Sequence, residues 1–213
     1  MIVIFDLDGT LVDTYPVIRK TLIEVFSKHL SNFRYDEELL KSFFGPTLHY
    51  SFSKLTNNDE EQTQFLIDEY RKINKVYYEN EIELFPGVIN TLEELSKKHT
   101  LAILSNRIQD LVDIGLKATK IDKYFKVILG IDSMKRPKPY PDGIIQILNH
   151  YKDKKAVFIG DATTDIISAK SAGIIGIGVT WALTKPEEFM KVKADYIVNS
   201  FEELNKILEE IDV

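Results

Sequence analysis

Short apolar runs of strand length recur along this chain, and several stop abruptly at a polar residue. Ile2-Val-Ile-Phe5 is the first, an unbroken and β-branched run that predicts a fully buried strand. Leu101-Ala-Ile-Leu104, Val127-Ile-Leu129 and Ala156-Val-Phe-Ile159 have the same character, as does Ile174 to Thr180, with a weaker strand at Tyr196 to Val198. Between these runs the apolar positions fall at helical intervals, over Val88–Lys98, Ile108 to about Lys120, Tyr140–His150, Thr163–Ala172 and Phe201–Ile211. Continuous apolar strands alternating with helices predict a parallel sheet covered on both faces.

One region breaks the alternation. From about Tyr15 to about Glu81 the spacing is helical, with Val17, Ile18, Leu22, Val25 and Phe26 on one face, then Leu39, Leu40 and Phe43, then a longer segment from Phe65 to Tyr78. Asn32, Gly45-Pro46 and Asn57-Asn58-Asp59 punctuate these helices. The predicted fold is therefore α/β, a doubly wound parallel sheet with a helical cap inserted after its first strand. Residues 1–14 and 82–213 would form the core, and 15–81 the cap. Asp13 is expected to cap the first cap helix, and Phe43, Phe44, Tyr50 and Phe52 to form cap core.

Composition narrows the chemistry. The 213 residues are 44% hydrophobic and 28% charged, ordinary for a globular chain. A net charge of -6 argues against a general electrostatic grip on nucleic acid. With no cysteine, disulfides, thiolate metal sites and cysteine nucleophiles are excluded. No apolar run reaches membrane-spanning length, and the first strand lacks the features of a secretory leader, so a cytoplasmic location is the default expectation. The four histidines are scattered; none has a partner at metal-ligand spacing, and His49 alone is a candidate substrate contact.

The polar residues at the strand ends carry the chemistry. In an open parallel sheet, ligands bind beyond the carboxyl ends of the strands. Four polar stations are predicted to converge there: Asp6-Leu-Asp-Gly-Thr10, Ser105-Asn106, the loop Lys135-Arg-Pro-Lys-Pro-Tyr-Pro-Asp142, and Gly160-Asp161. Two aspartates fixed at the end of a buried strand concentrate negative charge that a cation or a shared proton must offset. Asp6, Asp8, Asp161 and Asp165 supply carboxylates, Ser105 and nearby backbone N–H groups supply donors, and Lys138 supplies a cation. That inventory suits phosphoryl transfer: Mg²⁺ takes a few hard oxygen ligands, one carboxylate attacks phosphorus, and a second handles the leaving-group proton. Lys138 and Mg²⁺ would offset charge on the transferring group.

In order and spacing, Asp6-Leu-Asp-Gly-Thr10, Leu104-Ser-Asn106, Lys138 within Arg-Pro-Lys-Pro, and Gly160-Asp-Ala-Thr-Thr-Asp165 resemble the four motifs of the haloacid dehalogenase-like hydrolase superfamily. The likeness covers essentially the whole chain and is nearest to phosphoglycolate phosphatase-like members with a helical cap. It implies Asp6 as nucleophile and Mg²⁺ ligand, and Asp8 as general acid then base with its carbonyl on the metal. It implies Ser105 and the Asn106 backbone as phosphoryl holders, Lys138 as partner of phosphate and Asp6, and Asp161 as a metal ligand. Asp165 and Thr10 would stand behind these, Asp165 ordering metal-bound water or Lys138. Gly45, Pro46 and Thr47 form the cap loop expected to meet substrate. Ser105 replaces a frequent threonine, Ala162 a commoner hydroxyl residue, and Arg107 a lysine common in phosphoglycolate phosphatases.

The expected activity is hydrolysis of a small phosphorylated metabolite, a phosphoglycolate-like phosphomonoester, through an aspartyl-phosphate. The same residues suit an inorganic pyrophosphatase, a nucleotidase or a phosphosugar mutase, although residues 45–54 hold no arginine to retain a mutase intermediate. From another class, a phospho-accepting regulatory domain shares the acidic pocket, hydroxyl and lysine. It has no helical cap, and its acceptor follows the third strand. Nothing in the pattern fixes the oligomeric state.

Overall fold

The computed structural model of the 213-residue chain describes residues 1–44, 46–151 and 155–212. It divides into two compact units, one of Met1–Asp13 with Glu83–Val213 and one of Thr14–Ile82.

The first unit opens with strand β1 (Ile2–Phe5), followed by the two-residue strand β2 (Val12–Asp13). In the second unit helices α1 (Tyr15–His29), α2 (Glu37–Lys41), α3 (Leu48–Leu55) and α4 (Glu60–Glu81) follow in turn. Their starts are written in the sequence: Asp36, Thr47 and Asp59 each accept a bond from a backbone N–H three residues on, at 2.8, 3.3 and 3.0 Å. The first start departs from expectation. Asp13 lies in β2 and does not cap α1; Thr14 precedes that helix without a side-chain capping bond, and the first turn is preorganised by Pro16. Phe26, Leu40, Phe43, Phe52 and Leu66 form the core of this unit. Of the four expected core aromatics, Phe43 and Phe52 are buried, Phe44 is half-buried, and Tyr50 is exposed, with Lys54 donating to its hydroxyl at 2.6 Å.

Back in the first unit, β3 (Glu83–Leu84) pairs antiparallel with β2. Then come α5 (Val88–Lys98), β4 (Thr100–Leu104), α6 (Gln109–Ala118), β5 (Phe125–Leu129), α7 (Asp142–Asn149), β6 (Ala156–Gly160) and α8 (Thr163–Ser171). The unit closes with β7 (Ile175–Val179), α9 (Pro186–Lys191), β8 (Tyr196–Val198) and α10 (Phe201–Asp212). Among the described residues, six strands form one parallel sheet in the order β5-β4-β1-β6-β7-β8. The chain is an α/β protein with a doubly wound parallel sheet. Ile2, Ile4, Ala102, Leu104 and Phe158 face one core with Ile144 and Ile147 of α7. On the other face, Phe5 meets Phe125 edge-on at 6.4 Å.

Strand order decides where chemistry can sit. β1 is central, with β4 on one side and β6 on the other; the chain runs outward from β1 to β4 and β5 on one side, and from β6 to β7 and β8 on the other. The crevice at such a switch point opens beyond the strands' carboxyl ends. Asp6, Ser105 and Asp161 follow or end those three neighbouring strands.

Candidate active site

The loop after β1 is built to present two carboxylates. Leu7 and Leu11 are fully buried, each burial contributing about 1.5–3 kcal/mol, and they anchor the loop between its polar residues. The Leu7 carbonyl accepts from Thr10, Leu11 and Val12 N–H groups at 3.3, 2.9 and 3.0 Å, winding the backbone tightly. Gly9 adopts φ 74°, and a β-carbon there would overlap the Asp161 carboxylate. Trp181 fixes the far side: its indole N–H donates to the Thr10 carbonyl at 3.0 Å, and its ring lies 4.4 Å from Phe201. Neither Leu7 nor Trp181 is among the expected site residues.

Asp6 is buried at the tip of β1, with Oδ1 accepting from Leu7 N–H at 2.7 Å and Oδ2 2.9 Å from Lys138 Nζ. The same ammonium lies 2.7 Å from Asp165 Oδ1. Asp165 Oδ2 accepts from Ala162 N–H at 2.9 Å, so this residue steadies the start of α8 while holding the lysine. Gly160 makes room for it, since a β-carbon there would collide with the Asp165 carboxylate. Asp161 accepts from the Thr10 hydroxyl at 3.2 Å. One carboxylate oxygen from each of Asp6, Asp161 and Asp165 lies within 4.8 Å of the other two.

This concentration of charge shapes the proton affinities. Burial pushes the Asp6 carboxyl up to about 7, with Lys138 opposing the rise and Asp165 adding to it. Burial likewise holds Asp161 well above the usual carboxylate range, reinforced by Asp6 and Asp165. For Lys138, burial works against its charge, but Asp165 and Asp6 outweigh burial and raise its proton affinity. One ammonium faces three buried carboxylates. The donor set is hard oxygen in a confined space, and the excess negative charge is what a divalent cation neutralises, so the residues fit Mg²⁺.

Asp8 is placed differently. Its Oδ2 lies 2.7 Å from Arg107 Nε in a mostly buried pair, while Oδ1 is buried without a hydrogen-bond partner among the described residues. Arg107 pairs with an expected site residue but stands out in the sequence only as a departure from lysine; its signal there is a cation two residues beyond the Ser105 hydroxyl at a strand end. Ser105 is buried and its Oγ accepts from Arg107 N–H at 3.1 Å, which leaves its own proton for another acceptor. The Asn106 side chain donates to the Lys138 carbonyl and accepts from the Lys138 N–H, both at 3.0 Å.

Seven of the expected residues thus gather in the first unit: Asp6, Asp8, Thr10, Ser105, Lys138, Asp161 and Asp165, with Asn106 tied to the lysine loop. The cap candidates lie in the second unit. Thr47 is the N-cap of α3, Pro46 is exposed, and Gly45 lies outside the described residues. His49 stands 3.1 Å from Glu60 on the surface of that unit.

The sequence pattern of the haloacid dehalogenase-like hydrolases matches residues 3–179. The chain belongs to this family. It is 30% identical to the pyrophosphatase PpaX of Bacillus mycoides over 99% of this chain and 97% of that protein. A haloacid dehalogenase-like hydrolase of Streptococcus pneumoniae superposes with a TM-score of 0.85 at 29% identity, covering 97% of each chain. A protein of Haemophilus somnus described as a predicted phosphoglycolate phosphatase gives the same TM-score at 25% identity, again over 97% of each. The chain is an enzyme of the haloacid dehalogenase-like hydrolases. Among its described residues no helix is long and apolar enough to cross a membrane.

Proposed function

We propose that this hydrolase is a Mg²⁺-dependent phosphatase that cleaves a small phosphomonoester through an aspartyl-phosphate on Asp6. The observation that carries the reading is the buried cluster of Asp6, Asp161 and Asp165 around Lys138, 2.9 and 2.7 Å from two of them, at the end of the central strand. An Asp6 carboxylate oxygen attacks phosphorus as the ester P–O bond breaks, and Asp8 gives the leaving oxygen its proton. Water then attacks the same phosphorus, Asp8 takes its proton, and Asp6 leaves as a carboxylate. Ser105 Oγ and the Asn106 backbone N–H hold the phosphoryl oxygens, and Lys138 meets their charge. Asp6, Asp161 and the Asp8 carbonyl would hold Mg²⁺, which when bound supplies positive charge opposite the transferring group. Asp165 and Thr10 act behind them, on Lys138 and Asp161. The helical unit is the candidate cap, with Gly45, Pro46 and Thr47 as its candidate substrate contacts.

Two observations bear on substrate. Arg107 adds a mostly buried cation beside Asp8, where a substrate with a second negative group close to the scissile bond would use it. Phosphoglycolate and pyrophosphate both have that character. The second is favoured by the name of the Bacillus relatives, and inorganic pyrophosphate hydrolysis is therefore the alternative reading. A panel of pyrophosphate, phosphoglycolate, nucleoside monophosphates, sugar phosphates and p-nitrophenyl phosphate, assayed with and without Mg²⁺, separates these. Many turnovers per chain are expected, with kcat/KM highest for a substrate bearing a second anionic group. Arg107→Met should lower kcat/KM for such substrates about 10–100-fold, and by a smaller factor for p-nitrophenyl phosphate, for which only the loss of the Asp8 partner counts. Stoichiometric labelling without turnover would instead mark a phospho-accepting switch.

A further inference from the structure

We propose that the Asn106 side chain is a positioning residue for Lys138, acting through the lysine's backbone. This rests on the reading of Lys138 as the cation that meets the phosphoryl group. A lysine stem is flexible, so its Nζ is placed by the backbone that carries it and by what surrounds it. Here that backbone lies in Arg136-Pro137-Lys138-Pro139-Tyr140-Pro141. Proline has no N–H, so Lys138 carries the one backbone donor between Pro137 and Pro139. Asn106 Oδ1 takes that donor at 3.0 Å, and Asn106 Nδ2 returns a bond to the carbonyl of the same residue at 3.0 Å. The amide is thus matched edge to edge with both polar groups of Lys138, as a neighbouring strand would be. The reverse amide orientation would set donor against donor.

The consequence reaches the site through one residue. Asn106 follows β4 and Lys138 lies 32 residues on, so this clamp registers the lysine loop against the Ser105 loop. Within that register Nζ sits 2.9 Å from Asp6 Oδ2 and 2.7 Å from Asp165 Oδ1, and 5.4 Å from the Phe158 ring centroid. Other anchors keep the segment folded without Asn106. Ser168 Oγ donates to the Tyr140 carbonyl at 2.9 Å, and Arg136 and Asp142 pair at 2.8 Å. Loss of the clamp therefore loosens Lys138 rather than unfolding the loop, and a displacement of about 1 Å at a reacting group lowers the rate on the order of 10²-fold.

The test is a double-mutant cycle in the full chain, with p-nitrophenyl phosphate and Mg²⁺, joined to amide hydrogen exchange at Lys138. Asn106→Ala should lower kcat about 10–100-fold in the wild-type background, and less than about threefold in Lys138→Met. Exchange of the Lys138 amide should quicken at least about tenfold in Asn106→Ala, because that N–H loses its acceptor. Asn106→Asp, which keeps the acceptor and loses the donor, should fall between. Equal loss from Asn106→Ala in both backgrounds, or unchanged Lys138 exchange, overturns the proposal while leaving the lysine's own role intact. Wild-type activity in Lys138→Met overturns the reading beneath it and the proposal together.

Discussion

The two units bury polar side chains in opposite ways. In the helical unit, the buried polar residues among those described are neutral: Thr14, Thr21, Ser51, Thr56, Thr63 and Asn74. Several bond to one another or to the helix backbone. The Thr56 and Thr63 hydroxyls pair at 2.6 Å, Thr63 donates to the Asp59 carbonyl at 2.6 Å, and Asn74 donates to Thr21 at 3.2 Å. In the sheet unit the buried polar set includes Asp6, Lys138, Asp161 and Asp165, all ionisable and all beyond the ends of adjacent strands. Neutral, paired groups satisfy hydrogen bonds and stabilise the fold modestly. Charged groups of one predominant sign do the reverse, and they persist where the surrounding core offsets them. The contrast sets a unit whose buried polar groups are neutral against one whose buried ionisable groups form the candidate site.

Substitution should divide along the same line. The largest effect is expected at Asp6: Asp6→Asn should lower kcat at least about 10³-fold, the scale for loss of a nucleophile, while the metal-free protein melts no lower than wild type. Next comes Asp8→Asn, at roughly 10²–10⁴-fold in kcat, with proton transfer as the step lost. Steady-state kinetics on p-nitrophenyl phosphate and calorimetric melting read both.

The charge imbalance itself can be measured without turnover. The Asp6 carboxyl sits at about 7 in the folded chain against 3.8 for the ordinary group, raised chiefly by burial. Between those values the unfolded chain releases a proton that the folded chain keeps, so metal-free stability falls as pH rises through that window. Asp161, displaced in the same direction by the same cause, adds to the slope. Mg²⁺ should oppose it: at 100 times its dissociation constant, binding contributes about 2.7 kcal/mol, or roughly 5–10 °C in Tm for a chain of this size. The rise should be clear at pH 8, much smaller at pH 5, and lost in Asp161→Asn. An equal rise at both pH values would contradict the charge argument.

The smallest effect should come from the other unit. Thr63→Val removes a hydroxyl that bonds both Thr56 and the Asp59 carbonyl. It should lower stability by about 1–2 kcal/mol, or roughly 2–8 °C in Tm, and leave kcat within about twofold. A large loss of kcat there would blur the division between the units.

How much of this was legible beforehand follows from range. The β1 run Ile2–Phe5 is apolar because the strand is central and buried on both faces, so its identity and its abrupt end at Asp6 could be read directly. The other strand ends gave the remaining polar stations for the same reason. Shorter elements leave no pattern: Val12–Asp13 and Glu83–Leu84 hold only two residues each, so Asp13 resembles a helix cap in the sequence although it lies in a strand. What spacing along a chain cannot encode is where side chains point. Arg107 reaches Asp8 across 99 residues, Trp181 reaches Thr10 across 171, and the Asn106 amide turns to the Lys138 backbone. Those contacts exist only once the sheet has set β1 between β4 and β6.

The central claim is that Asp6 carries the phosphoryl group during turnover. Acid quenching of the enzyme during steady-state turnover of p-nitrophenyl phosphate with Mg²⁺, followed by peptide mass mapping, tests it most directly. The account predicts a peptide spanning Asp6 heavier by one phosphoryl group, with the label absent in Asp6→Asn. A phosphoryl group found on another residue, or turnover by Asp6→Asn at the wild-type rate, would contradict it.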